Sequence, residues 1–386
     1  MTRSKQWIGT AFAILLALAC TDRNALAGIK IGPEFQINTT NINNTAGNSD
    51  VAELSNGGFV AVWEGDGVFA QVYDAAGNRV GSELNVASNI LASDPHVAGL
   101  RGGGFVVVWA VGSFRGERET FNVYGRLYNS AGTSLGSEFL VNLPSQRDQL
   151  WPAVAALRNG DFVVTWYLEK IDADIIWMRI YNAAGQTIRP PTKVANEGVD
   201  PKVAALSGAG FVVTWSCPID GLNGECGQRF TLGGHTVGTQ FTNSQPHDSC
   251  STAFGSCPPS LVGLTSGGFV LVWTSQDEDV YGQLFDASAA SVGAAFRVNT
   301  LTTGPQVLAA VSDLRGGFVV TWEVQNSDKS TDVHAQRYDN SGARLGGEFQ
   351  VNTTSDASYP STAGLGVGGF VVTWTGGPGI LGQRFK

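Results

Sequence analysis

A sevenfold internal repeat constrains the fold more than any other feature of the chain. Each copy contains an apolar segment of the form GGFVVTW, with small variations, that ends in tryptophan. The seven closing tryptophans are Trp63, Trp109, Trp166, Trp215, Trp273, Trp322 and Trp374. They lie 46 to 58 residues apart, close to the repeat length of the four-stranded unit of a β-propeller. The spacing therefore predicts a ring of similar units.

Each repeat divides into four strand-like pieces separated by turn residues. A run of small apolar residues such as VAAL comes first, then the FVVTW-like piece, then pieces resembling GQRYD and GEFQVN. Glycine accounts for 50 of the 386 residues, which indicates many tight turns and short strands. The FVVTW-like piece is apolar on both faces, as expected for a sheet buried on both sides. This favours blades stacked around an axis over a two-sheet sandwich.

The two ends of the chain complement each other. The last repeat stops after its third piece, GQRFK, whereas IGPEFQINTT (31–40) is a fourth piece without a repeat of its own. It closely matches LGGEFQVNTT (345–354). Pairing the N-terminal strand with the last repeat would close the ring and remove exposed sheet edges. The sequence thus predicts an all-β fold, a seven-bladed β-propeller of four-stranded antiparallel blades closed by the N-terminal strand, as a single domain over residues 28–386.

Residues 1–27 have the features of a signal peptide. Arg3 and Lys5 precede an apolar stretch, 8–19, that is too short to span a bilayer. The sequence Ala-Leu-Ala at 25–27 predicts cleavage after Ala27 and a secreted or periplasmic protein. The alternative is a lipoprotein anchored at Cys20. No other segment is long and apolar enough to predict a membrane span.

Four cysteines follow the signal peptide, namely Cys217, Cys226, Cys250 and Cys257. An even number in an exported chain predicts disulfides, and four cysteines allow three connectivities. All four fall within one repeat and the loop after it, so we expect local pairing of Cys217 with Cys226 and of Cys250 with Cys257.

The FVVTW, GQRYD and GEFQVNT pieces together resemble a repeat found in large exported bacterial proteins of the RTX and adhesin-like types. The resemblance covers nearly all of the chain after the signal peptide. It implies an exported propeller, in a family whose members are often calcium-binding. This chain, however, contains no GGxGxDxUx calcium-binding nonapeptide.

Loop variability points to one face of the predicted ring. Connections between the second and third pieces, and between the fourth piece and the next repeat, differ widely in length. Because loops alternate between the two faces, both variable classes lie on the same face, where binding residues would be expected. Between each repeat tryptophan and the third piece there are fifteen acidic and four basic residues. We therefore predict an acidic variable-loop face that attracts a cation or a basic partner.

The candidate binding residues on this face are two tryptophans outside the repeat pattern and a set of acidic residues. They are Trp151, Trp177, Asp172, Asp174, Asp277, Glu278, Asp279, Asp328 and Asp332. An exposed tryptophan can stack on a sugar ring, although local packing is the alternative. Carboxylates suit calcium, which takes six to eight oxygen ligands, but no loop has a complete ligand pattern. The sequence predicts no cofactor and leaves calcium, or merely solvated acidic loops, as alternatives.

These features favour a non-catalytic exported binding protein that engages a protein or a carbohydrate. A net charge of −9 argues against nucleic acid, which requires lysine and arginine, and we expect a monomer. The four histidines have no metal-binding spacing and there is no G-x-S-x-G motif. One alternative is a glycan-active hydrolase or lyase that uses loop carboxylates. Another is a structural surface module.

Overall fold

The computed structural model describes residues 28–386 apart from 41–47, 116–117, 144–146, 171–173, 209, 220–221, 244–256, 355, 367 and 378. Within this part of the chain all regular structure is β-strand. A search of the same residues for a helix capable of crossing a bilayer finds none. The predicted signal peptide, 1–27, lies outside the described residues.

Six blades take four consecutive strands each. Blade 1 consists of β2 (Ser49–Glu53), β3 (Phe59–Gly65), β4 (Gly67–Tyr73) and β5 (Arg79–Ala87). Blade 2 consists of β6 (Ala92–Gly99), β7 (Phe105–Arg115), β8 (Arg118–Tyr128) and β9 (Phe139–Leu140). Blade 3 consists of β10 (Gln149–Ala156), β11 (Phe162–Leu168), β12 (Ile175–Tyr181) and β13 (Thr187–Ala195).

The next three blades follow the same plan. Blade 4 consists of β14 (Val199–Ala205), β15 (Phe211–Ile219), β16 (Leu222–Phe230) and β17 (Thr236–Asn243). Blade 5 consists of β18 (Ser260–Gly263), β19 (Phe269–Thr274), β20 (Val280–Phe285) and β21 (Ser291–Arg297). Blade 6 consists of β22 (Gln306–Leu314), β23 (Gly317–Gln325), β24 (Thr331–Asp339) and β25 (Arg344–Gln350).

Blade 7 combines the two ends of the chain, as the sequence predicts. Strands β26 (Ala357–Gly364), β27 (Phe370–Gly376) and β28 (Gly379–Phe385) are joined by β1 (Lys30–Gln36). Strand β1 runs antiparallel to β28, with Phe35 opposite Gly382 and Lys30 opposite Phe385. The predicted seven-bladed propeller, closed by its N-terminal strand, is confirmed.

The first strand of every blade lies on the inside of the ring. Each of these inner strands packs against the inner strands of both neighbouring blades, in the closed order β2, β6, β10, β14, β18, β22, β26 and back to β2. An inner strand has a free hydrogen-bonding edge, and side chains of the preceding blade bond to it. Asp50 accepts from the Val97 N–H at 3.0 Å, and Ser312 accepts from the Gly364 N–H at 2.8 Å.

The core lies between adjacent blades. All seven repeat tryptophans are at most 2% exposed, so their predicted core role is confirmed. On the second and third strands of each blade, aromatic rings stack in pairs such as Phe59 on Tyr73, with centroids 4.6 Å apart. Fully burying one large apolar side chain contributes about 2–3 kcal/mol, so every interface between blades is stabilised independently.

Cysteine pairing agrees with the prediction where it can be seen. Cys217 and Cys226 form a disulfide across the β15–β16 hairpin, rather than within a loop. Cys257 is also disulfide-bonded, and Cys250 lies outside the described residues. The segment between Ala110 and Val123, which the sequence suggests is a long loop, is largely an extension of the β7–β8 hairpin.

Candidate functional site at the inner ends of the blades

The inner strands are distorted where they begin, on the variable-loop face. In five blades a β-bulge interrupts the pairing of the first and second strands. Each bulge holds a non-glycine residue with positive φ, namely Asp94 (50°), Trp151 (48°), Asp200 (52°), Leu308 (54°) and Tyr359 (54°). Such conformations are unfavourable for these residues and concentrate at functional sites, and bulges redirect side chains. Each of the five bulges therefore changes the direction of one side chain at the inner end of its blade.

Local sequence explains how the bulges are tolerated. Four of the five residues precede a proline, which has no N–H to donate to the strand pairing. At two bulges a glutamate on the second strand of the preceding blade lies beside the bulge backbone, the half-buried Glu64 and the fully buried Glu323. Glu64 accepts from the Asp94 N–H at 3.2 Å, and Glu323 lies near the Tyr359 N–H. Burial raises the pKa of both glutamates.

Just beyond the bulges, polar side chains replace the small residues that other blades carry. One position of the inner strand pairs with the residue just before the repeat tryptophan. It carries Asp50, His96, Lys202 and Ser361 in blades 1, 2, 4 and 7, and Ala153 and Ala310 in blades 3 and 6. We define the axial site as these four residues together with the five bulge residues.

An Asp–His pair joins two blades within the axial site. The Asp50 Oδ2 atom lies 3.2 Å from His96 Nδ1, and Ser361 Oγ donates to Asp50 Oδ1 at 2.9 Å. Burial raises the pKa of Asp50, but hydrogen bonds from His96, Val97 and Ser361 together with the charge of His96 outweigh it and leave the pKa below its usual value. Asp50 is therefore an anion that holds the His96 ring by one nitrogen, which leaves Nε2 for another partner.

The pKa of Asp94 is shifted in the opposite direction to that of Asp50. Burial raises its pKa despite the opposing positive charges of His96 and Lys202. Lys202 belongs to blade 4 and Asp94 to blade 2, so side chains from non-adjacent blades interact electrostatically at the axial site. Asp94 thus lies close enough to His96 and Lys202 to interact with the charges of both.

Aromatic residues complete the site. The half-buried Trp151 ring packs against Tyr167, with centroids 4.8 Å apart and planes tilted by 40°. Tyr359, from the bulge of blade 7, has a pKa raised to about 12 by burial and by the negative charge of Glu323. Its phenol is therefore neutral and able to donate a hydrogen bond at ordinary pH.

The structure separates the two predicted tryptophans. Trp151 lies in the axial site, whereas Trp177 stands opposite Trp166 in the β11–β12 pairing and is half-buried against the cluster between blades 2 and 3. Asp174 accepts from the Lys170 N–H at 2.8 Å, and Asp172 lies outside the described residues.

The predicted acidic residues of blade 5 are held within their own turn. Asp279 accepts hydrogen bonds from Asn299 at 2.6 Å and Arg297 at 3.2 Å. Asp277 bonds to the Ser275 hydroxyl, and Glu278 occupies a positive-φ position, 59°. The carboxylate of Asp279 thus fixes the end of the fourth strand to the start of the third.

In blade 6, as in blade 5, a carboxylate at the start of the third strand is held by side chains of the same blade. Asp332 accepts from Gln350, Asn352 and Asn326, each at 2.8 Å, while Asp328 lies in an exposed turn and accepts from Ser330. In the described part of the chain, no three His, Cys, Asp or Glu side chains are grouped as a metal site would require. A binding role for these acidic residues and for calcium stays a prediction.

Sequence reasoning missed Asp94, His96, Lys202 and Tyr359. For His96 and Lys202 the available signal was a departure from the repeat, since four other copies have alanine or serine at that position. The position of Asp94 and Tyr359 differs widely among the copies and gave no such signal. What could not be inferred is that residues from blades 1, 2, 4 and 7 meet.

Comparison with known proteins identifies the fold and no family. No family model matches the chain, and no curated protein matches it. Similar solved structures include a protein of unknown function from Dyadobacter fermentans, with a TM-score of 0.55 at 11% identity over 93% of this chain and 99% of that one. The K499G mutant of the NanB sialidase from Streptococcus pneumoniae has a TM-score of 0.53 at 8% identity, over 92% and 71%. A polysaccharide lyase, PL25 ulvan lyase, has a TM-score of 0.53 at 7% identity, over 92% and 96%.

Proposed function

We propose that this protein is an exported carbohydrate-binding propeller whose ligand occupies the axial site. The observation that carries the proposal is Trp151, an aromatic residue held half-buried at a left-handed bulge of blade 3 and packed against Tyr167. Maintaining a bulky residue at positive φ costs on the order of 1–3 kcal/mol. A purely structural position would not be expected to retain that cost in five blades.

The chemistry of the axial site suits a sugar. The flat indole face can cover sugar C–H groups, while carboxyl, ammonium, imidazole and phenol groups can hydrogen-bond to hydroxyls. All of these groups lie on strands rather than on loops, so little conformational entropy is lost on binding.

The similar structures support the proposal in one respect. Two of them are named as carbohydrate-acting enzymes, a sialidase and a polysaccharide lyase. At 7–8% identity the likeness is one of fold, and the argument for this chain rests on its own residues.

A glycan array probed with residues 28–386 tests the proposal. We expect binding to a defined set of glycans, lost or weakened at least tenfold in Trp151→Ala, because stacking on an aromatic ring contributes roughly 1–3 kcal/mol. Ile188→Ala, at a 50% exposed position on the fourth strand of blade 3, serves as the matched control. A silent array, or equal binding by both variants, would contradict the proposal.

The Asp50–His96 pair favours a glycan-active enzyme as the second candidate. A histidine oriented by a half-buried carboxylate is a suitable general base, and Asp94, whose pKa is raised by burial, is the candidate proton donor. The test is to incubate each bound glycan with the protein and to assay for new reducing ends or unsaturated products. Turnover that is abolished in His96→Gln, with glycan binding retained, would establish catalysis, and absence of any product would leave a binding protein.

A further inference from the structure

The opposite end of the ring contains a cavity, which the sequence analysis did not predict. It has a volume of about 540 Å³ and is formed by the short turns between first and second strands in blades 1, 2, 6 and 7. These four blades are consecutive in the closed ring, so the cavity lies on one side of this face. Its lining includes Glu53, Ser55, Asn56, Arg101, Arg315 and Gly366. A volume in this range is typical of a small-molecule site.

Arginine occupies one turn position in three of the seven blades. The position directly follows the turn's leucine and carries Arg101, Arg158 and Arg315 in blades 2, 3 and 6, all of them exposed. The other blades carry Ser55, Ser207, Thr265 and Gly366 there. Arg101 Nη1 donates to the Arg158 carbonyl oxygen at 3.2 Å. This bond uses one nitrogen of the Arg101 guanidinium group.

The carboxylates nearby are engaged by backbone donors of neighbouring blades. Glu53 Oε1 accepts from the Gly366 N–H, and Asp313 Oδ1 accepts from the Thr265 N–H at 3.0 Å. Among the described residues, neither Arg101 nor Arg315 has a carboxylate oxygen within 4.0 Å. Burial raises the pKa of Glu53, and it raises the pKa of Asp313 to about 6 despite the hydrogen bonds from Thr265. The positive charge of Arg315 acts on Glu53 and that of Arg158 acts on Asp313, so the turns carry three guanidinium groups against these two carboxylates.

We propose that this cavity, the arginine mouth, binds the oxyanion group of a small ligand between Arg101 and Arg315. Guanidinium groups bind carboxylate, sulfate and phosphate through paired N–H donors. The cavity accommodates a molecule of about the size of one acidic sugar, and its ligand group is an anion rather than the polyol expected at the axial site. The two sites lie on opposite faces, so either can exist without the other.

Calorimetric titration of residues 28–386 tests the proposal with two probes. Sodium sulfate represents a free inorganic anion and sodium glucuronate an acidic sugar, with sodium chloride at equal ionic strength as the reference. We expect saturable heat with at least one probe and none with chloride. Arg101→Gln and Arg315→Gln should each weaken binding about tenfold or more, because a hydrogen bond to a charged group contributes roughly 1.5–3 kcal/mol.

Arg189→Gln is the matched control, since Arg189 also donates to a backbone carbonyl, that of Gly233 at 3.0 Å, but lies away from the cavity. It should bind like the wild type. Saturation by glucuronate alone would identify a sugar acid as the ligand class, and saturation by sulfate alone an inorganic anion or a sulfate ester. Absence of saturable binding by the wild type, or unchanged affinity in folded Arg101→Gln and Arg315→Gln, would refute the arginine mouth without affecting the glycan array result.

Discussion

At the scale of single residues, contacts between blades explain many of the polar side chains that recur in the sequence. Guanidinium groups of one blade donate to the carbonyl that ends the fourth strand of the blade before it. These bonds are Arg126 to Val86, Arg179 to Val141, Arg79 to Ile37 and Arg344 to Val298, at 2.9 to 3.0 Å. Arg126 and Arg179 occupy equivalent positions on their third strands, and these bonds give both a structural role. In blades 1 and 6 a fourth-strand arginine takes the same role.

Glu348 should make the stability of the protein sensitive to acid. Burial raises its pKa, but hydrogen bonds from His334, at 2.8 Å, and from Thr300 outweigh burial and lower the pKa from 4.5 to about 2. A lowered pKa stabilises the folded state above the unfolded value, and this contribution is lost as the pH falls from about 4.5 to about 2. We expect the free energy of unfolding to fall by about 2 kcal/mol over this interval through this group.

Urea unfolding at several pH values measures the effect. Glu348→Gln should be less stable than the wild type near pH 6 and should lose less stability on acidification. Glu138→Gln is the control, because the side chain of Glu138 is 47% exposed and its ion pair with Arg126 is 3.4 Å long. Parallel pH profiles for Glu348→Gln and the wild type would show that Glu348 is not responsible.

At the scale of strands, the positions of the strands could be predicted from the sequence, whereas the β-bulges within them could not. The VAAL-like runs predict inner strands, and the apolar FVVTW-like pieces predict second strands buried on both faces, as observed. The bulges were not predictable, because a residue before proline ordinarily favours an extended conformation. At Asp94 and Trp151 the ring of packed blades imposes a left-handed conformation instead. The candidate site therefore depends on contacts distant in sequence, which explains why only Trp151 of its residues was anticipated.

The β15–β16 hairpin offers a test at the same scale. Cys217 and Cys226 are separated by nine positions, and a disulfide closing so short a loop stabilises by roughly 2–3 kcal/mol. We expect Cys217→Ser with Cys226→Ser to lower the midpoint of urea unfolding while leaving the fold intact by circular dichroism. The Cys257 disulfide is unaltered in this double variant. An unchanged midpoint would show that hairpin pairing alone, from Phe211 to Phe230, holds blade 4 together.

At the scale of the whole molecule, closure of the ring depends on one strand. Strand β1 supplies the outer strand of blade 7, and Arg79 of blade 1 donates to the Gln36 and Ile37 carbonyls that follow it. Deletion of 28–38 should therefore expose the edge of β28 and leave the interface between blades 7 and 1 incomplete. We expect the deletion variant to melt at a much lower temperature or to oligomerise.

Thermal unfolding and light scattering distinguish these outcomes from no effect. Adding the missing segment as a separate peptide, residues 28–40, should partly restore the melting temperature by reoccupying the edge of β28. A scrambled peptide of the same composition serves as the control. A monomeric deletion variant with the melting temperature of the full protein would refute closure by β1.

The pairing of β1 with β28 also determines when folding can finish. The Asn38 side chain accepts from the Ile380 N–H across a separation of 342 residues, so the first strand to be synthesised waits for nearly the last. At about 5–20 residues per second this delay lasts tens of seconds. During that time the growing chain has no completed ring. Closure of the ring is therefore a late event, because it waits for the synthesis of β28.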